Sequence, residues 1–203
     1  MTLAAFATVA LIHLLAAISP GPSFVVSVRT AIAEGFPTAT ALALGFGIGA
    51  AVWAAAALAG LALLFELVPA LYLSLKLVGA AFLLYIAVSM WRHAPKPLPA
   101  ADARPPRGTL AAMRLGILTF ITNPKAAIFF GAIFVGLVPA GTSLPWLAAL
   151  VAIVFFNETL WYIVVARVFS LPRARAAYGR AKSWIDRSLG TLLAAFGLKV
   201  ALT

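Results

Sequence analysis

The chain has 203 residues, 64% of them hydrophobic and 10% charged, with a net charge of +10 and no cysteine. Soluble domains are about half apolar and a quarter charged, so this is the composition of a membrane protein. The basic residues sit in short connections between apolar runs, which weighs against a nucleic-acid partner, and the lack of cysteine excludes disulfides, thiolate metal sites and thiol redox chemistry.

A membrane span needs about 20 mostly apolar residues. Six stretches qualify: Thr2 to Arg29, Pro37 to Phe65, Val68 to Trp91, Met113 to Val138, Leu144 to Phe169 and Trp184 to Ala201. The first opens MTLAAFATVALIHLLAA without the Lys or Arg that precedes a signal-peptide core, so it reads as a retained span. Basic residues fall between spans one and two (Arg29), three and four (Arg92, Lys96, Arg104, Arg107, Arg114), and five and six (Arg167 to Arg187). The connections Glu66 to Pro69 and Ala140 to Pro145 carry none. The positive-inside rule then puts loops one, three and five in the cytoplasm and both termini outside.

Ala94 to Arg107, APKPLPAADARPPR, holds five prolines and cannot be helical. It divides the chain into a three-span repeat at 1–93, a cytoplasmic linker at 94–112 and a second three-span repeat at 113–203. Three spans per half would insert the two halves with opposite topology. Each half has a broken leading helix, AISPGPSF in one and FITNPKAAIFF in the other. Corresponding breaks in inverted repeats point to a secondary transporter with its site near the midplane. The fold class expected is all-α, six transmembrane helices as two inverted repeats with helices one and four broken.

A proline in a helix frees the carbonyl four residues earlier, and a neighbouring glycine lets the backbone turn away. In hydrocarbon, freed groups must be satisfied by protein or by a wet cavity. Ser19, Pro20, Gly21, Pro22 and Ser23, with Asn123, Pro124 and Lys125, are therefore the candidate substrate-binding residues. The alternative is a pair of tolerated kinks.

Lys125 follows Arg114 by about 16 Å of helix rise, near the bilayer centre, where an ionisable group is a functional candidate. Glu158, in VFFNETLWYIVV, is the carboxylate deep in a span and a candidate proton carrier or counter-charge to Lys125; a purely structural pair is the other reading. His13 lies seven residues before Pro20 on nearly the same face, either a packing residue or a second coupling group. Lys76 is close enough to an interface to snorkel.

Ala39, Ala43 and Gly47, with Gly45 and Gly49, give span two small residues at close spacing, suited to packing against the broken span one. The tryptophans mostly mark interfaces. Trp161, one turn from Glu158, is the exception, placed to stack on a cation.

The stretches from Ile18 to Ala50, Leu73 to Arg92, Gly116 to Phe130 and Trp184 to Leu202 resemble the LysE/RhtB family of bacterial amino-acid exporters in order, spacing and total length. The resemblance implies a multi-pass protein of the bacterial inner membrane. It would export amino acids or close derivatives, driven by the proton gradient, as a homo-oligomer and without a cofactor. Its two signature segments fall on Pro20 to Pro22 and Asn123 to Lys125. Two departures stand out: Ser23 where many relatives carry Asp or Asn after Pro-Gly-Pro, and FVGLVPAG where many have Pro-Gln-Phe. An amino acid's carboxylate suits a helix N-terminus or Lys125, and its ammonium suits freed carbonyls or Glu158.

Competing readings are weaker. Metal export lacks soft ligands. An intramembrane enzyme needs a catalytic constellation, yet His13 and His93 are the only histidines. A subunit that only assembles with others would need neither two broken helices nor a midplane lysine, and an exporter of another small solute or ion stays open.

Overall fold

The structure, a computed structural model, describes residues 1–67, 70–97, 105–139 and 141–202, and every regular element among them is helical. The proline-rich stretch 98–104, the connection at 68–69 and the side chain of Lys76 lie outside the described residues.

Helix α1 (Leu3–Ile18) starts on a Thr2 cap whose hydroxyl accepts from the Ala5 N–H. It stops because a residue before proline is pushed out of helical angles: Ser19, ahead of Pro20, is extended at φ −63°, ψ 133°. Gly21, ahead of Pro22, is extended as well, and Pro22 opens α2 (Pro22–Glu34) at a first-turn position where its missing N–H costs nothing. The two helices bend by 58° at this break. Gly35 then turns the chain at φ 87°, a conformation that a Cβ would strain, straight into α3 (Phe36–Leu67).

Helix α4 (Ala70–His93) leads to the proline-rich connection. Helix α5 (Thr109–Ile121) starts on Gly108, ahead of the expected Met113, because TLAAMR is free of proline and rich in helix formers. A second break at Thr122 and Asn123 precedes α6 (Pro124–Ile128), a π-helical turn (Phe129–Phe134) and the short α7 (Val135–Leu137). Helix α8 (Leu144–Ser170) is joined through Leu171 to α9 (Pro172–Leu202). The last helix starts twelve residues before the expected Trp184: Pro172 suits a first turn, and the Ala and Arg of RARAAYGRAK favour helix over loop.

Two of the described helices are long and apolar enough to cross a membrane, Phe36–Gly60 and Leu144–Ser170, and the bent pair α1–α2 makes a third if it is one span. Helix α3 packs against α5 and α8, and α4 against α9. The glycines of span two face α5 and α8, not α1 and α2 as expected. A Cβ on Gly45 would meet the Met113 carbonyl, and one on Gly116 would meet the Leu42 carbonyl, so two glycines face each other across the α3–α5 contact. Gly47 fits against Thr159 and Phe155 of α8. The reason is reciprocity: α5 brings its own glycine, which allows a closer approach than α2 does. Gly116→Leu should therefore force the helices apart at a cost of about 1–3 kcal/mol, read as a lowered unfolding temperature of the detergent-purified protein.

Two polar clasps close one end of the bundle. Arg107 grips Glu34 with Nε to Oε2 at 2.8 Å, Nη2 to Oε1 at 2.6 Å and its backbone N–H to Oε2 at 3.0 Å, tying the chain ahead of α5 to the end of α2. Lys182 of α9 donates to the Asp186 carboxylate at 2.7 Å and to the carbonyls of His93 and Ala94. Burial, with the Asp186 carboxylate nearby, holds the Tyr178 phenol well above its ordinary pKa, so it stays neutral.

Candidate functional site

Pro20 has no N–H, so the carbonyl of Ala16, four residues earlier, loses its helical partner. Lys125 takes that carbonyl: its Nζ donates to Ala16 O at 2.7 Å and to Ser19 O at 2.6 Å. The Ser19 hydroxyl donates to the same Ala16 oxygen at 2.8 Å. The ammonium therefore closes the gap that the first break leaves, across more than a hundred residues of sequence.

The second break aims the lysine. Asn123 caps α6, its Oδ1 accepting the Lys125 backbone N–H at 3.0 Å, while its Nδ2 donates to Ser23 Oγ at 3.0 Å. Pro124 stands at a first-turn position of α6. The carbonyls loosened here are met nearby: Phe120 O accepts from the Asn123 N–H at 3.1 Å, and Ile121 O accepts from Trp53 Nε1 at 3.3 Å. Trp53 thus caps a broken helix and is not only an interface marker. Gly21 leaves room for the lysine stem, since a Cβ there would lie 3.2 Å from Lys125 Cδ.

On the opposite wall, His13 Nε2 lies 3.7 Å from Glu158 Oε2, both side chains almost fully buried. The other imidazole nitrogen, Nδ1, is buried without a hydrogen-bond partner among the described residues. Phe129 and Phe130 hold the ring at centroid distances of 5.5 and 5.7 Å. The π turn lets these two consecutive residues both point inward, and such turns recur at functional sites.

His13, Ser23, Asn123, Lys125, Glu158 and Tyr162 line one cavity with these rings. Its free space is about 30 Å³, room for one or two waters, so any larger solute requires the site to widen.

Six of the ten candidate residues, His13, Gly21, Ser23, Asn123, Lys125 and Glu158, line this cavity, Ser19 joins them through its carbonyl on Lys125, and the side chain of Pro124 lies outside the described residues. Pro20 and Pro22 shape the break without lining this cavity, and Pro22 is exposed. Among the described residues no ion pair joins Lys125 to Glu158: the lysine is engaged by two carbonyls and the glutamate faces His13. Depth alone had suggested the direct pair, but helix rotation decides which neighbour is reached. The ring beside Glu158 in the cavity is Tyr162, not Trp161, because a residue four on shares its face more closely than one three on. Tyr162 and the paired phenylalanines were missed; the i, i+4 spacing from Glu158 was the available signal for the tyrosine.

Asn123→Ala removes both the cap and the bridge to Ser23. It should lower stability by about 1 kcal/mol and slow transport more than that loss explains, which paired melting and flux measurements on the same preparation will separate.

The chain is 35% identical to the threonine efflux protein of Escherichia coli K12 over 98% of both chains. It is 34% identical to the threonine efflux protein of Salmonella typhi, again over 98% of both. A shorter match, 36% identical, covers 57% of this chain and 56% of the chemotactic transduction protein ChpE of Pseudomonas aeruginosa. No solved structure matches. The family described as LysE type translocator matches residues 14–203. With two broken helices meeting at a half-buried lysine and this match over nearly its whole length, the chain belongs to the LysE type translocators and is a membrane transporter, not an enzyme.

Proposed function

We propose that the chain exports small amino acids, threonine among them, from the bacterial cytoplasm across the inner membrane, against entering protons. The observation that carries this reading is the ammonium of Lys125 on the Ala16 carbonyl freed by Pro20 and on the Ser19 carbonyl at the same break. An amino acid brings an ammonium of its own, which can take the same two carbonyls. Lys125, displaced, then meets the substrate carboxylate. Ser23, Asn123 and Tyr162 offer partners to a side-chain hydroxyl. Without a substrate, Lys125 keeps the carbonyls satisfied, so the empty carrier loses no buried hydrogen bonds.

The architecture we propose is six spans as two inverted repeats, 1–93 and 113–203, joined by a cytoplasmic linker within 94–112, with both termini outside. Packing supports it. Under a two-fold relation α1 and α2 correspond to α5 and α6, α3 to α8, and α4 to α9. The contacts α3–α8 and α4–α9 then map onto themselves, and α3–α5 is mirrored by α8–α1. Rocking of one repeat against the other would open the midplane site to each side in turn.

Glu158 carries the coupling proton in this scheme, with His13 as its neighbour and relay. Protonation from the outside would accompany the return of the empty carrier. The test is efflux of labelled amino acids from proteoliposomes with and without an imposed proton gradient. Gradient-stimulated efflux of threonine or a similarly small amino acid is expected; movement of none of them would overturn the reading.

A further inference from the structure

A second cavity, about 300 Å³, lies on the far side of the first break. Pro20 and Gly21 line it at the break, Val25 and Met90 form apolar wall, and Lys96, three residues past the end of α4, and Lys182 of α9 add two cations. Gly21 borders both this space and the midplane cavity, so a single residue separates them. The lysines differ. Lys182 is committed to Asp186 and to two carbonyls. Lys96 is exposed, and its ammonium has no partner among the described residues.

We propose that this cavity is a loading subsite that takes the zwitterionic amino acid from the cytoplasm before the break opens. The substrate carboxylate meets the Lys96 ammonium, its aliphatic portion rests on Val25 and Met90, and its ammonium faces the Pro20–Gly21 turn that leads to the Ala16 and Ser19 carbonyls. The order is physically reasonable: an exposed cation attracts an anionic group with less desolvation than the half-buried Lys125 in its narrow cavity demands. The identity of the ligand rests on the export reading above, whereas the existence and sidedness of the subsite do not.

The absence of native cysteine makes a direct test possible. Val25→Cys, and Ser89→Cys on the facing wall, each place one thiol in the cavity. In vesicles of known orientation, a charged, membrane-impermeant thiosulfonate should modify either thiol from the cytoplasmic face only. Saturating threonine should slow that reaction, and the modified protein should stop exporting. Lys96→Gln should raise the half-saturating threonine concentration roughly two- to five-fold at an unchanged maximal rate, as loss of one exposed charge contact implies. Reaction from the outer face, or cytoplasmic reaction that no amino acid slows, would overturn the subsite. A carrier that still exports threonine in that case would leave the export reading standing, while labelling and protection in a carrier that moves no threonine would sink the export reading alone.

Discussion

Lys125→Ala should lower export by roughly a hundredfold, equivalent to about 2.7 kcal/mol on the transport barrier. The ammonium donates to Ala16 O and Ser19 O; Ala16 O keeps the Ser19 hydroxyl when the lysine is removed, but Ser19 O loses this donor, and a buried carbonyl left without a donor costs about 1–3 kcal/mol. The same substitution removes the cation proposed to receive the substrate carboxylate. Both losses act at one place, so the effect should exceed that of any other single alanine in the site. Lys125→Arg should not rescue it. A planar guanidinium is larger and forked, suited to a carboxylate and not to two carbonyls on one broken turn, and the cavity has little spare volume. Efflux from proteoliposomes containing equal amounts of folded protein decides the matter, and export by Lys125→Ala near the wild-type rate would remove the lysine from the site.

Glu158→Gln should separate exchange from driven export. Glutamine keeps the shape of the side chain and its polar contact with His13 at 3.7 Å, but it cannot carry a proton. Exchange of labelled for unlabelled threonine should persist, whereas gradient-driven net efflux should fall by an order of magnitude or more, as expected when an intramembrane carboxylate carries the coupling. His13→Gln, which leaves the carboxylate in place, should slow driven efflux less. Equal loss of exchange and driven export in Glu158→Gln would instead make the glutamate a binding or packing residue.

Both arguments started from features legible in the amino-acid order. Pro20 identifies Ala16 as the carbonyl that loses its partner, because the i to i−4 relation is local and follows from the missing N–H. Gly21-Pro22 and Asn123-Pro124 mark the ends and beginnings of helices for equally local reasons. Composition marked the membrane, since no soluble fold accommodates so few charges among so many apolar residues. The helical start of α9 was misjudged for the opposite reason: its basic run looked like a loop, although alanine and arginine favour a helix whatever lies around them.

The sequence by itself thus determined where the backbone breaks and that the freed groups need partners. The tertiary structure alone decided which partners they find: Lys125 on Ala16 and Ser19, Glu158 against His13, Gly45 against Gly116, Arg107 on Glu34. The physical reason lies in the spans themselves. A helix that is apolar on nearly every side has no polar stripe to show which face turns inward, so its rotation is set by packing against neighbours and not by its own pattern. Depth in the membrane follows from counting residues. Facing does not, and it is facing that chooses among polar groups at the same depth.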